Sequence, residues 1–226
     1  MTQNIYDNAG FFAGYAQLRR SVDGLDGAPE WPTLKAMLPD VTGKRVVDLG
    51  CGFGWFCRWA RETGAASVLG LDVSANMLTR ARETTSDTAI AYRQADLETV
   101  DLPASSFDLA YSSLTLHYLV NLEALFATIH RALVPGGRFV FSAEHPLYTE
   151  PGPDYLDEGP RTTDWLAKGV VKQHRTLARY LNLLVDAGFT VRHVEEWGPT
   201  HAEIAAHPEW KIDHRRPSFL LVSAGR

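Results

Sequence analysis

The sequence predicts an α/β protein built on an open, mostly parallel β-sheet, and three observations carry that expectation. From residue 45 onward, short apolar runs alternate with stretches at helical spacing, the order that builds a parallel sheet flanked by helices. The apolar runs are near-continuous, as in strands covered on both faces. Residues 46–54, Val-Val-Asp-Leu-Gly-Cys-Gly-Phe-Gly, take one such strand straight into glycines at 50, 52 and 54 and then into a helix. At 226 residues the chain suits one domain, 1–226, with a full core.

Phe11, Phe12, Tyr15 and Leu18 fall at helical spacing, which predicts an amphipathic helix over 8–20. After a Gly- and Asp-rich stretch, a short helix is expected over 31–38, with Pro32 in its first turn. Together these residues, 1–40, read as a helical cap on the domain. The strand ending at Leu49 is followed by a helix over 55–63, which Gly64 stops. A second strand runs from Ser67 to Asp72, and Ser74 caps the next helix, 75–84. Strands follow at 89–94 and 107–112.

Asn121 caps a helix over 122–133, whose stripe is Leu122, Leu125, Phe126, Ile129 and Leu133. Pro135-Gly-Gly then turns the chain into a strand over 138–142. A helix over 177–187 ends at Gly188, and strands at 190–197 and 218–224 complete the pattern. Residues 143–175 interrupt it, because prolines and glycines are frequent there and no period is sustained. A connection of that length is expected to be a lid or binding loop, and 198–217 is a shorter case.

Hydrophobic residues make up 45% of the chain and charged residues 22%, a globular composition. The net charge of -5 and the lack of a basic stripe argue against nucleic acid as a partner. The first residues lack the basic start and apolar run of a secretory signal, and no stretch is long and apolar enough to span a bilayer. Cys51 and Cys57 form neither a C-x-x-C pair nor a disulfide framework, so a reducing, cytoplasmic location is expected. The scattered histidines show no metal-binding spacing, and no metal is expected.

The turn after residue 49 lets backbone approach a nucleotide-like ligand without Cβ atoms in the way. The dinucleotide fingerprint G-x-G-x-x-G needs glycine where this chain has Trp55. Asp72, at the tip of the neighbouring strand and twenty-two residues past Gly50, is placed to accept hydrogen bonds from a ribose diol.

These residues resemble the class I S-adenosylmethionine-dependent methyltransferases. The resemblance rests on motifs over roughly residues 40–145 and on strand–helix order over 177–226. It implies a Rossmann-like, seven-stranded sheet with a C-terminal antiparallel strand and helices on both faces. It also implies S-adenosyl-L-methionine as cofactor. Gly50, Cys51, Gly52 and Gly54 would meet its amino-acid end, and Asp48 would lie close by and balance its charge. Asp72 and Val73 match the ribose-binding position, Met77 the apolar residue against adenine, Asp96 and Leu97 the adenine edge. Ser112 matches a backbone contact to the methionine end. Met77 also suits simple core packing, and Asp96 a surface turn. The amino-terminal helix reads either as a helix packed on the sheet edge or as a lid with Tyr15 or Arg19 near the cofactor carboxylate.

Ligands of open parallel sheets bind outside the carboxyl ends of the strands, which places 1–30, 113–120, 143–175 and 198–217 around a substrate. The methyl donor is already activated, so the protein supplies position and a dry cavity. An amine or thiolate acceptor needs no base, whereas a hydroxyl or carbon acid wants one. His117, His145 and His174 are the candidates for that base, the last two for substrate contact and His117 for the cofactor side. The Asn/Asp-Pro-Pro-aromatic sequence of nucleic-acid amino methylators is replaced here by Ser112-Ser-Leu-Thr. The expected reaction is therefore methylation of a small organic molecule, its attacked atom and the oligomeric state left open. A non-catalytic cofactor-binding subunit and a nicotinamide-dependent oxidoreductase are the competing readings, and Trp55 argues against the latter.

Overall fold

The computed structural model describes residues 3–149, 154–207 and 216–226. A 3₁₀ turn at Ile5–Asp7 leads into α1 (Ala9–Tyr15), α2 (Arg19–Val22) and α3 (Trp31–Ala36). Strand β1 (Arg45–Leu49) and α4 (Trp55–Glu62) are followed by β2 (Ser67–Asp72) and α5 (Ala75–Glu83). Next come β3 (Ile90–Gln94), β4 (Phe107–Ser113), α6 (Leu122–Ala132) and β5 (Leu133–Glu144). The short α7 (Pro146–Thr149) precedes β6 (Gly159–Trp165) and β7 (Ala167–His174). Helix α8 (Leu177–Asp186), β8 (Thr190–Trp197), α9 (His201–Ala206) and β9 (Phe219–Gly225) complete the order.

Seven strands form one sheet in the order β3-β2-β1-β4-β5-β9-β8. Strand β9 runs antiparallel to both of its neighbours, and the other six share one direction. Successive strand residues face opposite layers. Val46 therefore packs with Trp31, Leu34, Phe56 and Leu78 beneath α3, α4 and α5, while Val47 and Leu49 join the layer of Phe126, Ile129, Tyr180 and Leu184 under α6 and α8. Ser74, Asn121 and Thr176 cap their helices by accepting the backbone N–H of Met77, Ala124 and Arg179, each at 3.1 Å. Such caps contribute about 1 kcal/mol apiece. Among the described residues, no helix is long and apolar enough to cross a membrane.

Three expectations need correction. The helix expected over 8–20 is two helices, because the chain turns at Ala16–Leu18. That turn lets Arg20 reach the buried Glu30 carboxylate at 3.1 Å while Phe11 and Tyr15 stay against Trp165. The connection 143–175 is no irregular loop, since 159–174 form an antiparallel hairpin turned at Leu166, whose φ is 58°. Its burial alternates residue by residue, and Thr162, Thr163, Val170 and Val171 are β-branched, the residue type that strands favour. Within 198–217, Thr200 and Glu203 form a capping box that starts α9. Residues 208–215 of that expected loop lie outside the described residues, as do 150–153 of the longer one.

Candidate active site

The carboxyl ends of β1, β2, β3, β4 and β5 open into one cavity of about 980 Å³. Its floor is the turn after β1. Gly50 has φ 83°, and a Cβ there would lie 2.1 Å from Thr115 Oγ1, so only glycine allows the turn to pass under the β4 loop. Gly52 has φ 51°, yet a Cβ would meet nothing within 4 Å, because the residue fronts the cavity. The Gly52 N–H donates to Asp72 Oδ2 and the Ser74 N–H to Asp72 Oδ1, both at 2.9 Å. One carboxylate thus ties the glycine turn to the start of α5.

Two acids lie on this floor under strong desolvation. Burial raises the Asp48 carboxyl to about 7, against a weaker lowering from the Cys57 thiol, which donates to Asp48 Oδ2 at 3.3 Å. Burial raises Asp72 to about 6, with the Ser74 and Gly52 N–H bonds pulling it down. Burial also lifts both thiols, Cys57 to about 11. Two acids held this poorly solvated in their charged form suit a cationic ligand, whose charge would offset that cost. The open front of Gly52 leaves room for it. The donor set therefore fits S-adenosylmethionine.

Over the floor lies a roof made from two distant parts of the chain. Asp7 accepts from the Ser74 hydroxyl at 2.5 Å and from the Asn76 N–H at 3.1 Å, fastening the amino-terminal turn to the start of α5. Gln3 pairs with the hairpin, its amide donating to the Gly169 carbonyl at 3.0 Å and its oxygen accepting from the Val171 N–H at 2.9 Å. Tyr6, Phe11, Tyr15 and Trp165 interlock edge to face beneath these bonds. The amino-terminal helix packs against the hairpin and the glycine turn, through Phe11 and Tyr15 on Trp165 and Tyr15 on Phe53.

The cavity lining includes Tyr15, Arg19, Asp48, Gly50, Cys51 and Gly52. From the strands beyond, Asp72, Val73, Met77, Asp96 and Leu97 line it too. Three residues named for the cofactor or for chemistry behave otherwise. Gly54 begins α4 outside the lining, and Ser112, expected there for a backbone contact, is also outside it, with its hydroxyl donating to the Leu49 carbonyl at 2.7 Å. Arg19 reaches the lining but is an exposed residue paired with Asp23 at 3.5 Å.

Of the candidate bases, only His117 faces the cavity. Its Nδ1 accepts the Glu144 N–H at 3.2 Å, and burial drops its pKa to about 4, with nearby Lys172, Arg175 and Arg20 adding to the fall. His145 and His174 are buried away from the lining. His145 Nδ1 accepts the Leu147 N–H at 3.1 Å, leaving Nε2 to donate to Glu196 at 2.9 Å; His174 Nε2 donates to the Tyr155 carbonyl at 2.7 Å. His145 ties the end of β5 to Glu196 of β8, His174 ties the end of β7 to Tyr155, and neither lines the cavity.

The residues missed in the sequence are Tyr6, Arg20, Glu30, Tyr118, Glu144 and Lys172, all in the lining. Glu144 immediately precedes His145 on a strand end, where neighbours point to opposite faces. Lys172 sits on β7, unreadable until the hairpin is recognised. Among the described residues, no group of three or more His, Cys, Asp and Glu side chains could hold a metal ion.

The chain is similar to known proteins in sequence and fold. Residues 47–141 match the Methyltransferase domain family. A crystal structure of an S-adenosylmethionine-dependent methyltransferase from Mesorhizobium loti is 59% identical, with a TM-score of 0.85 over 90% of this chain and 100% of that one. An uncharacterised Haemophilus influenzae protein is 32% identical over 98% of this chain and 96% of its own length. A malonyl-[acyl-carrier protein] O-methyltransferase from Pectobacterium atrosepticum is 34% identical over 59% of this chain, which spans 49% of that protein. The chain belongs to the class I, Rossmann-like S-adenosylmethionine-dependent methyltransferases. It is an enzyme of that class and uses S-adenosylmethionine.

Proposed function

We propose that the methyl acceptor is a small organic molecule enclosed with the cofactor in this one cavity. The observation that carries the reading is the cavity's size under a roof: about 980 Å³, closed over by the amino-terminal turn and the β6–β7 hairpin. Small-molecule sites span roughly 300–1,000 Å³, so the space suits a cofactor and a modest second ligand. A folded macromolecule offering a side chain or a base would have to pass that roof. The net charge of -5 also disfavours a nucleic-acid acceptor.

Bound S-adenosylmethionine supplies an activated methyl group on a sulfonium. Asp72 would hold the ribose, and the Gly50–Gly52 turn and the start of α4 the amino-acid end. Asp48 would offset positive charge, while Met77, Asp96 and Leu97 would flank adenine. Tyr15, on the roof, excludes water from the transfer. His117, neutral at physiological pH, serves as a hydrogen-bond donor rather than a cation.

The test is transfer from methyl-labelled cofactor in a cell extract, with products separated by size. Label in the low-molecular-weight organic fraction supports this reading. Label recovered only on protein or RNA would end it.

A further inference from the structure

We infer that the methyl acceptor is bound as an oxyanion, a carboxylate or a phenolate, gripped by Lys172 together with His117 and Tyr118. The inference deepens the small-molecule reading and rests on it. Along the sheet, β1, β2, β3 and β4 carry the residues suited to the cofactor. The next strand, β5, ends at Glu144, so this side pair marks the following place in the row.

What stands there is an excess of donors. Lys172 is 4% exposed and fronts the cavity, with its ammonium on the Glu144 carboxylate and 5.1 Å from the centre of the Trp165 ring. Among the described residues, those are its only partners, and an ammonium has three protons to give. The Glu144 N–H occupies His117 Nδ1, so the neutral ring carries its proton on Nε2, for which no described residue is an acceptor. The Tyr6 hydroxyl donates to the Tyr118 hydroxyl at 3.3 Å, leaving the Tyr118 proton likewise unspent.

Among the described residues, two donors without acceptors, His117 Nε2 and the Tyr118 hydroxyl, stand beside a Lys172 ammonium with protons beyond its Glu144 partner. Together they suit a ligand that brings oxygen lone pairs into a dry site. The charges of Lys172, Arg175 and Arg20 reach His117 and oppose that of Glu144. A protonated amine would meet Lys172 as a like charge.

The step balances without a base. A lone pair of the bound oxyanion forms the new O–C bond to the methyl carbon. The C–S bond breaks with its pair on sulfur, and the sulfonium becomes a neutral thioether. Opposite charges vanish in this step and no proton moves, which suits a site whose candidate base, His117, is neutral. Lys172 is then a binding residue, and Glu144 is the positioning residue that fixes it.

The experiment titrates the protein saturated with S-adenosylhomocysteine, using benzoate, 4-nitrophenolate, benzylamine and anisole, by calorimetry at mildly alkaline pH. At least one anion should bind at millimolar or lower concentration and more tightly than the amine or the neutral ether. The paired substitution Lys172→Met with Glu144→Gln, which buries no lone charge, should weaken anion binding by roughly 10–100-fold, the size of a lost charge-assisted hydrogen bond. It should leave the affinity for S-adenosylhomocysteine unchanged, and Lys172→Arg should restore part of the anion binding. The tighter of the two anions separates carboxylate from phenolate.

Tighter binding of benzylamine or anisole, or an unaffected paired variant, would overturn the oxyanion assignment while the small-molecule reading stands. Binding of none of the four would overturn both.

Discussion

Replacing Asp48 by asparagine separates the electrostatics of the site floor from its shape. The wild-type carboxyl is 2% exposed, and burial raises it from 3.8 to about 7. Because the folded-state value lies above the unfolded one, the group favours folding fully below about pH 4, and that contribution is lost as pH climbs through about 7. A rise of that size corresponds to about 4 kcal/mol.

Asparagine keeps the volume and can still accept the Cys57 S–H bond, but it never ionises. The stability of the Asp48→Asn variant should therefore fall by ~2–4 kcal/mol less than that of the wild type between about pH 4 and pH 8. Asp72, raised to about 6, keeps its own share of the slope in both proteins. Urea denaturation followed by circular dichroism over that range reads the slopes directly, whatever constant offset the substitution adds. Parallel curves for the two proteins would show that Asp48 is not the desolvated acid described here.

Gly50→Ala should disturb the floor from the other side, since its Cβ would fall 2.1 Å from Thr115 Oγ1 at a φ of 83°. Left-handed backbone costs an alanine roughly 1–2 kcal/mol and overpacking a further 1–3 kcal/mol, so a lowered melting temperature and at least a tenfold loss of S-adenosylhomocysteine affinity are expected by thermal shift and calorimetry. Wild-type values on both measurements would refute the close approach. Asp7→Ala removes the clamp of the amino-terminal turn on α5 and should cost about 0.5–2 kcal/mol, the worth of a helix cap. Faster proteolysis within residues 3–24 is its expected signature, and an unaltered digestion pattern would argue that Asp7 is not what holds the roof.

The floor was legible because its determinants are local. A glycine turn after an apolar strand, with acids at Asp48 and Asp72, is a pattern of neighbours in sequence, and strand parity carries Asp72 to the right edge. Met77, Asp96 and Leu97 came through the family resemblance, and all three line the cavity. The far end of the cavity was not legible. His145 is the residue expected there, yet its neighbour Glu144 faces the cavity, and only packing says which of two adjacent side chains turns inward. Arg19, expected near the cofactor carboxylate, lines the cavity together with Arg20. The sequence predicts a loop over 159–174 because Pro and Gly are frequent in and before it, although its strands alternate in burial.

By itself, the order of apolar runs, caps and glycines determined the mostly parallel sheet and the glycine turn open to a nucleotide-like ligand, since each depends on backbone geometry and side-chain period over a few residues. The antiparallel last strand and the cofactor class came through the resemblance to the methyltransferase family. Tertiary structure alone decided that Gln3 meets Gly169, that Asp7 closes on α5 and that Lys172 sits against Glu144. Those partners are separated along the chain by lengths that no local propensity spans. Whether a polar side chain is buried beside a partner or left in water depends on what the whole fold brings to it.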